Sequence, residues 1–138
     1  FSFGNSAQAQ KKIPESVKKS FSKKHADIKE VHWQMVDGNF EGQFKQDGGE
    51  YTAVFSVEGE WIETEQQLRP RDLPKEISAA AKENYSSYSI VEAEKVVSAT
   101  EGDFYELKLK KGSGLLELKV FADGKMAVEE LETEDDED

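Results

Sequence analysis

Two imidazoles, His25 and His32, are the only histidine bases available in this chain of 138 residues. Serine is plentiful, yet no Gly-x-Ser-x-Gly elbow presents one as a nucleophile. The chain contains no cysteine, which excludes thiolate catalysis, disulfides and cysteine-ligated metal or iron–sulfur sites. His25 falls in the last turn of a helical segment, where the helix dipole favours a cation, and His32 falls in an alternating strand. Both read as structural. Paired carboxylates can hydrolyse glycosides, but among 29 acidic residues no pair stands out. No catalytic residue is assigned, and the chain reads as a non-enzyme with no cofactor.

Metal chemistry has two candidates. His25, Asp27, Glu30 and His32 are close in sequence, but they have no zinc spacing and straddle a helix-to-strand junction. The acidic end, Glu132-Thr-Glu-Asp-Asp-Glu-Asp138, offers carboxylates to Ca²⁺ or another cation, without the alternating ligands and central glycine of an EF-hand loop. No metal ligand is assigned, and weak cation binding by acidic residues stands as the alternative function. Eight of the last ten residues are acidic, from Glu129 to Asp138. Taking those eight from 29 leaves 21 acidic against 18 basic side chains, so a formal charge of −11 falls to −3. Nearly balanced charge with no basic stripe argues against nucleic acid as a partner.

A binding surface is the third possibility. By strand parity Phe104, Phe121, Leu115 and Val54 fall on the solvent side of their strands, with Trp33 and Trp61 as further candidates. Aromatic anchors among Lys108, Lys119 and Glu117 would suit a protein or peptide partner, since such anchors carry much of an interface's energy. A flat sheet face suits a small molecule less well than a concave pocket does.

The elements that would position these residues come in two similar runs. Ile13-Pro14-Glu15-Ser16-Val17 is echoed sixty residues later by Leu73-Pro74-Lys75-Glu76-Ile77. Proline suits the first helical position, where its fixed φ fits and its missing N–H costs nothing. Apolar residues then recur every four residues, as Ile13, Val17 and Phe21 and as Leu73, Ile77, Ala81 and Tyr85. Each set draws a narrow stripe on a helix of about three turns. After each helix the period falls to two, with strands expected near 28–36, 40–46, 51–57 and 61–67, then 89–98, 104–110, 115–122 and 125–131. Asp37-Gly38, Asp47-Gly48, Glu58-Gly59, Glu101-Gly102, Gly112-Ser113-Gly114 and Asp123-Gly124 mark the turns. The offset between the runs grows from 60 at the helix to 65 at the last turn, which places about five extra residues in the second run around Ser98 to Gly102.

The pattern therefore predicts an α+β fold of two tandem α-β-β-β-β repeats. They would form one antiparallel sheet of about eight strands with two helices on one face. Residues 1–10 are expected to be a disordered N-terminus or a signal-peptide remnant, because Ala7-Gln8-Ala9 has the small-x-small form that signal peptidase cuts. Residues 11–68 form the first repeat, 69–72 a linker, 73–131 the second repeat and 132–138 an acidic disordered tail. No apolar run approaches the ~18 residues of a membrane-spanning helix.

On the paired openings Ile13-Pro14 and Leu73-Pro74, and on the aromatic-rich strand sets closed by Glu58-Gly59 and Asp123-Gly124, the chain resembles the PepSY-like, β-lactamase-inhibitor-like family over roughly residues 11–132. The resemblance implies a bacterial protein, periplasmic or secreted, with an open sheet and an inhibitory or peptidase-regulatory role. It carries no functional residue across, because the family has no catalytic motif to match. The function expected is an exported non-catalytic protein- or peptide-binding module.

Overall fold

The structure, a computed structural model, describes residues 12–133. The N-terminal segment 1–10 and the end of the acidic tail lie outside the described residues. Element order is α1 (Glu15–Lys24), β1 (His32–Val36), β2 (Asn39–Gln46), β3 (Gly49–Phe55), β4 (Trp61–Leu68), a short 3-10 turn at Pro70–Asp72, α2 (Lys75–Asn84), β5 (Ser89–Ser98), β6 (Gly102–Lys111), β7 (Gly114–Phe121) and β8 (Met126–Thr133). The strands form one eight-stranded sheet in chain order. The expected α+β architecture of an eight-stranded antiparallel sheet with two helices is the one observed.

The chain divides into two compact units. The first runs to Gln66 and also takes in Val97–Gly102, and the second holds Gln67–Val96 and the chain from Asp103 onward. In the first unit the register Met35↔Phe40↔Phe55 and Trp33↔Gly42↔Ala53 places these residues on one face. Val17 and Phe21 of α1 pack there with Phe40, Phe44, Ala53 and Phe55. In the second unit Tyr105↔Val120, Leu107↔Leu118 and Leu109↔Leu116 line the corresponding face. Leu73, Ile77 and Ala81 pack against that face. The helical stripe and the strand alternation read from sequence thus meet in each unit.

Three details depart from the sequence reading. Pro14 and Pro74 stand at the N-cap rather than the first helical position, with extended ψ of 149° and 143°. Each carbonyl still accepts the first helical N–H groups, from Val17 at 3.1 Å and from Ile77 at 3.0 Å. β1 starts four residues late, because the chain leaving α1 turns first, with Ile28 N–H donating to the His25 carbonyl at 3.1 Å. Ile28 and Val31 pack on the core all the same. The extra residues of the second run lengthen its first hairpin: β5 and β6 have 10 residues each, against 5 and 8 in β1 and β2. Beyond β5, Ala99 N–H donates to Ile62 O at 2.9 Å.

The turn before β4 is tied directly to α1. Gly59 has φ +90°, and a Cβ there would stand 2.9 Å from the carbonyl carbon and oxygen of Ser16. Ser20 Oγ donates to the Gly59 carbonyl. The matching Gly124 has φ +89° and open space around it. Gly124→Ala is therefore expected to cost only the conformational penalty of about 1 kcal/mol, whereas Gly59→Ala adds a clash with helix backbone and is expected to cost at least about 2 kcal/mol more. Urea unfolding of the two variants checks this; equal losses would refute the contact.

Candidate functional site

The two histidines stand on opposite faces of the first unit. His25 is the C-cap of α1, and its ring lies 4.9 Å from Phe21 and 4.6 Å from Phe44. Its Nε2 is buried without a hydrogen-bond partner. Burial, and then the charge of Lys24, hold its pKa below the usual 6.5. His32 is exposed and pairs in register with Gln43, on the face away from α1. The structure therefore does not bring His25 and His32 together. Among the described residues no group of three or more His, Asp or Glu side chains could hold a metal. Most of the acidic C-terminal run lies outside the described residues.

The six apolar candidates also divide. Trp33 and Trp61 pack against the α1 core. Gly42 is the reason for Trp33, because a Cβ at that position would stand 2.9 Å from the indole. Lys24 Nζ lies 3.8 Å above the Trp61 ring, and the indole N–H donates to Thr64 Oγ1 at 2.9 Å. Phe104 and Phe121 do meet, as cross-strand partners on the helix-free face with ring centroids 5.5 Å apart. Leu115 shares their face near the other end of β7, opposite Lys110. Val54 stands on the helix-free face of the first unit, between Glu41 and Glu63 in register.

These residues were expected on a wet face, and the structure corrects that. Phe104 is 3% and Val54 6% exposed, whereas Phe121 and Leu115 are half-buried. Part of the reason is Lys119, whose Nζ lies 4.4 Å over the Phe104 ring and 6.0 Å from that of Phe121. The cation covers the rings with its aliphatic stem, and the same Nζ is 3.6 Å from Glu129 Oε2.

Charge on this face is denser than strand parity suggested. Glu94 is 2% exposed and Glu106 faces Lys119 across β6 and β7. Lys108 reaches Glu92 at 4.0 Å. Burial pushes the Glu106 carboxyl up to about 7, and nearby Glu94 and hydrogen-bonded Glu129 act in the same direction. Glu94 lies ten residues before Phe104 and Glu106 two after it, a spacing that matches no recognised motif, so sequence alone had no signal for this carboxyl.

The geometry defines a class of protein, a helix-backed antiparallel sheet whose other face carries aromatic rings among paired charges. The chain belongs to the family described as "Putative beta-lactamase-inhibitor-like, PepSY-like", whose model matches residues 39–128. Solved structures show the same fold. A BLIP-like protein from Bacteroides fragilis superposes with TM-score 0.79 at 17% identity, covering 93% of this chain and 92% of that one. A DUF2874 family protein from Bacteroides ovatus gives TM-score 0.77 at 18% identity, covering 89% of each chain. A structure described as "putative periplasmic proteins" from Bacteroides eggerthii gives TM-score 0.75 at 13% identity, with 89% and 90% covered. None of the curated proteins matches the sequence. Among the described residues no helix is long and apolar enough to cross a membrane.

Opposite pH effects follow from Glu106 and His25. The raised Glu106 pKa gives stability that is complete below about pH 4.5 and is lost as pH rises through about 7. Glu106→Gln is expected to remove that loss and to gain roughly 2 kcal/mol at pH 8, allowing for the partial exposure of the group. The lowered His25 pKa gives stability that is complete above about 6.5 and declines as pH falls below it. His25→Phe is expected to flatten this acid limb while leaving the alkaline one in place. Urea titrations at pH 5, 6.5 and 8 separate the two; a Glu106→Gln curve parallel to the parent's would refute the buried carboxyl.

Proposed function

We propose that this chain is an exported, non-catalytic module that binds a protein or peptide through the helix-free face of its sheet, in an inhibitory or regulatory role toward a peptidase or another envelope enzyme. The observation that carries the reading is the Phe104–Phe121 pair under Lys119, on a sheet face that no helix of its unit covers. Half-buried Phe121 and Leu115 supply the accessible apolar surface, and Lys119, Glu129, Lys108 and Glu92 frame it with paired charges. Interfaces are commonly built this way, with an apolar centre and a polar rim. Membership in a β-lactamase-inhibitor-like family supports a binding role without chemistry, and the periplasmic description of one fold relative supports export.

Phe104 is too buried to be a clean probe, so the test uses Phe121→Asp with Leu115→Asp. A protein captured from a bacterial envelope extract by the parent is expected to be lost with this variant, while its circular dichroism shows that it remains folded. Recovery of the same protein by both would remove the face from consideration.

A further inference from the structure

We propose that a second site, a groove along α2, binds an extended acidic peptide segment of a partner protein. The groove belongs wholly to the second unit and is an open depression of about 910 Å³. Leu73, Tyr88 and Ile90 give it an apolar floor, and Arg71, Lys75 and Lys82 give it three cations. No carboxylate lines it, in a chain of formal charge −11. Lys75 and Lys82 form no ion pair among the described residues, and Asp72, the one carboxylate of this linker, is bonded to Arg69 at 2.8 Å while the charge of Arg71 also acts on it. A cationic groove in an anionic protein, with no carboxylate in its lining, calls for an anion from outside.

Spacing selects the kind of anion. Lys75 and Lys82 are two helical turns apart on one face, a separation of about 10.5 Å at 1.5 Å per residue. A single phosphate or carboxylate is too small to bridge that distance. Carboxylates three residues apart on a chain in the extended polyproline II form, with three residues per turn, lie on one side about 9 Å apart, which matches it. The apolar floor then receives the intervening side chains, and the hydroxyls of Ser78, Ser86 and Ser89 along the wall are placed to bond the peptide backbone. A nucleic-acid strand brings a charge on every unit, and three cations with no longer basic stripe around them are too few to hold it.

The test follows backbone amide shifts of the full chain at low salt during titration with Ac-Glu-Leu-Ala-Glu-Leu-Ala-Glu-NH2. Saturable shifts are expected at Arg71, Ser78, Lys82, Tyr88 and Ile90, with dissociation constants some five- to tenfold weaker for the folded Lys75→Ala/Lys82→Ala variant. The peptide with glutamine in place of glutamate is expected to produce none. The proposal is overturned if the glutamine peptide shifts the same amides equally, if the variant binds unchanged, or if the shifts map to Lys108 and Lys119 instead. It is likewise overturned if inorganic phosphate or a thymidine decamer saturates the same amides with equal affinity. Because the readout is confined to α2 and its groove, failure here leaves the sheet-face reading untouched.

Discussion

Each helix of this protein exists because a sheet lies under it. Both are 10 residues long, and neither N-cap makes a side-chain hydrogen bond. A helix of that length is marginal in water on its own. What holds each in place is a pair of buried residues four apart, Val17 and Phe21 or Ile77 and Ala81. Phe21 shows how much depends on one side chain, since its ring meets His25, Trp33, Phe44 and Phe55 at centroid distances between 4.9 and 6.4 Å. Edge and tilted contacts of this kind add to the area they bury. The unpartnered His25 nitrogen is then the cost of finishing that aromatic cluster with an imidazole.

The helix-free face is organised by a different force. There Lys119 holds Phe104 and Glu129 together, so an apolar ring and a carboxylate share one cation. In water such contacts are worth little, but beside a buried ring and the 2%-exposed Glu94 the effective dielectric falls and charge becomes consequential. The perturbed Glu106 is the result. The rings of such a face are held in place by the same cation that offsets the carboxylate beside them.

The fold was legible in the sequence because its two periodicities are clean. The four-residue stripe from Val17 to Phe21 and the alternation Tyr105, Leu107, Leu109 each name a buried face. The Asp37-Gly38 and Asp47-Gly48 pairs mark hairpins whose residues all take positive φ. Parity also placed Phe104 and Phe121 together on one face. It could not show that Phe104 would be buried, because that depends on which long side chain of a neighbouring strand folds over the ring. Trp33 was legible only in part: its place in the core is announced by Gly42, a mid-strand glycine between Phe40 and Phe44, and that signal is read only once β1 and β2 are in register. The groove along α2 had no signal at all, since Arg71, Lys75, Lys82 and Tyr88 come from three separate elements.

An open sheet has two edges, and the strand order puts β1 and β8 at them. Unpaired edges are templates on which another chain can add a strand, the first step toward fibrils. β1 offers only five residues, too short a template for stable addition. β8 is longer, but its sequence carries Glu129, Glu130 and Glu132 and runs on into five more acidic residues. Two copies approaching along that edge would bring these glutamates close to one another. Like charge along an edge strand opposes the pairing of two copies, which is one of the ways open sheets avoid edge-to-edge association.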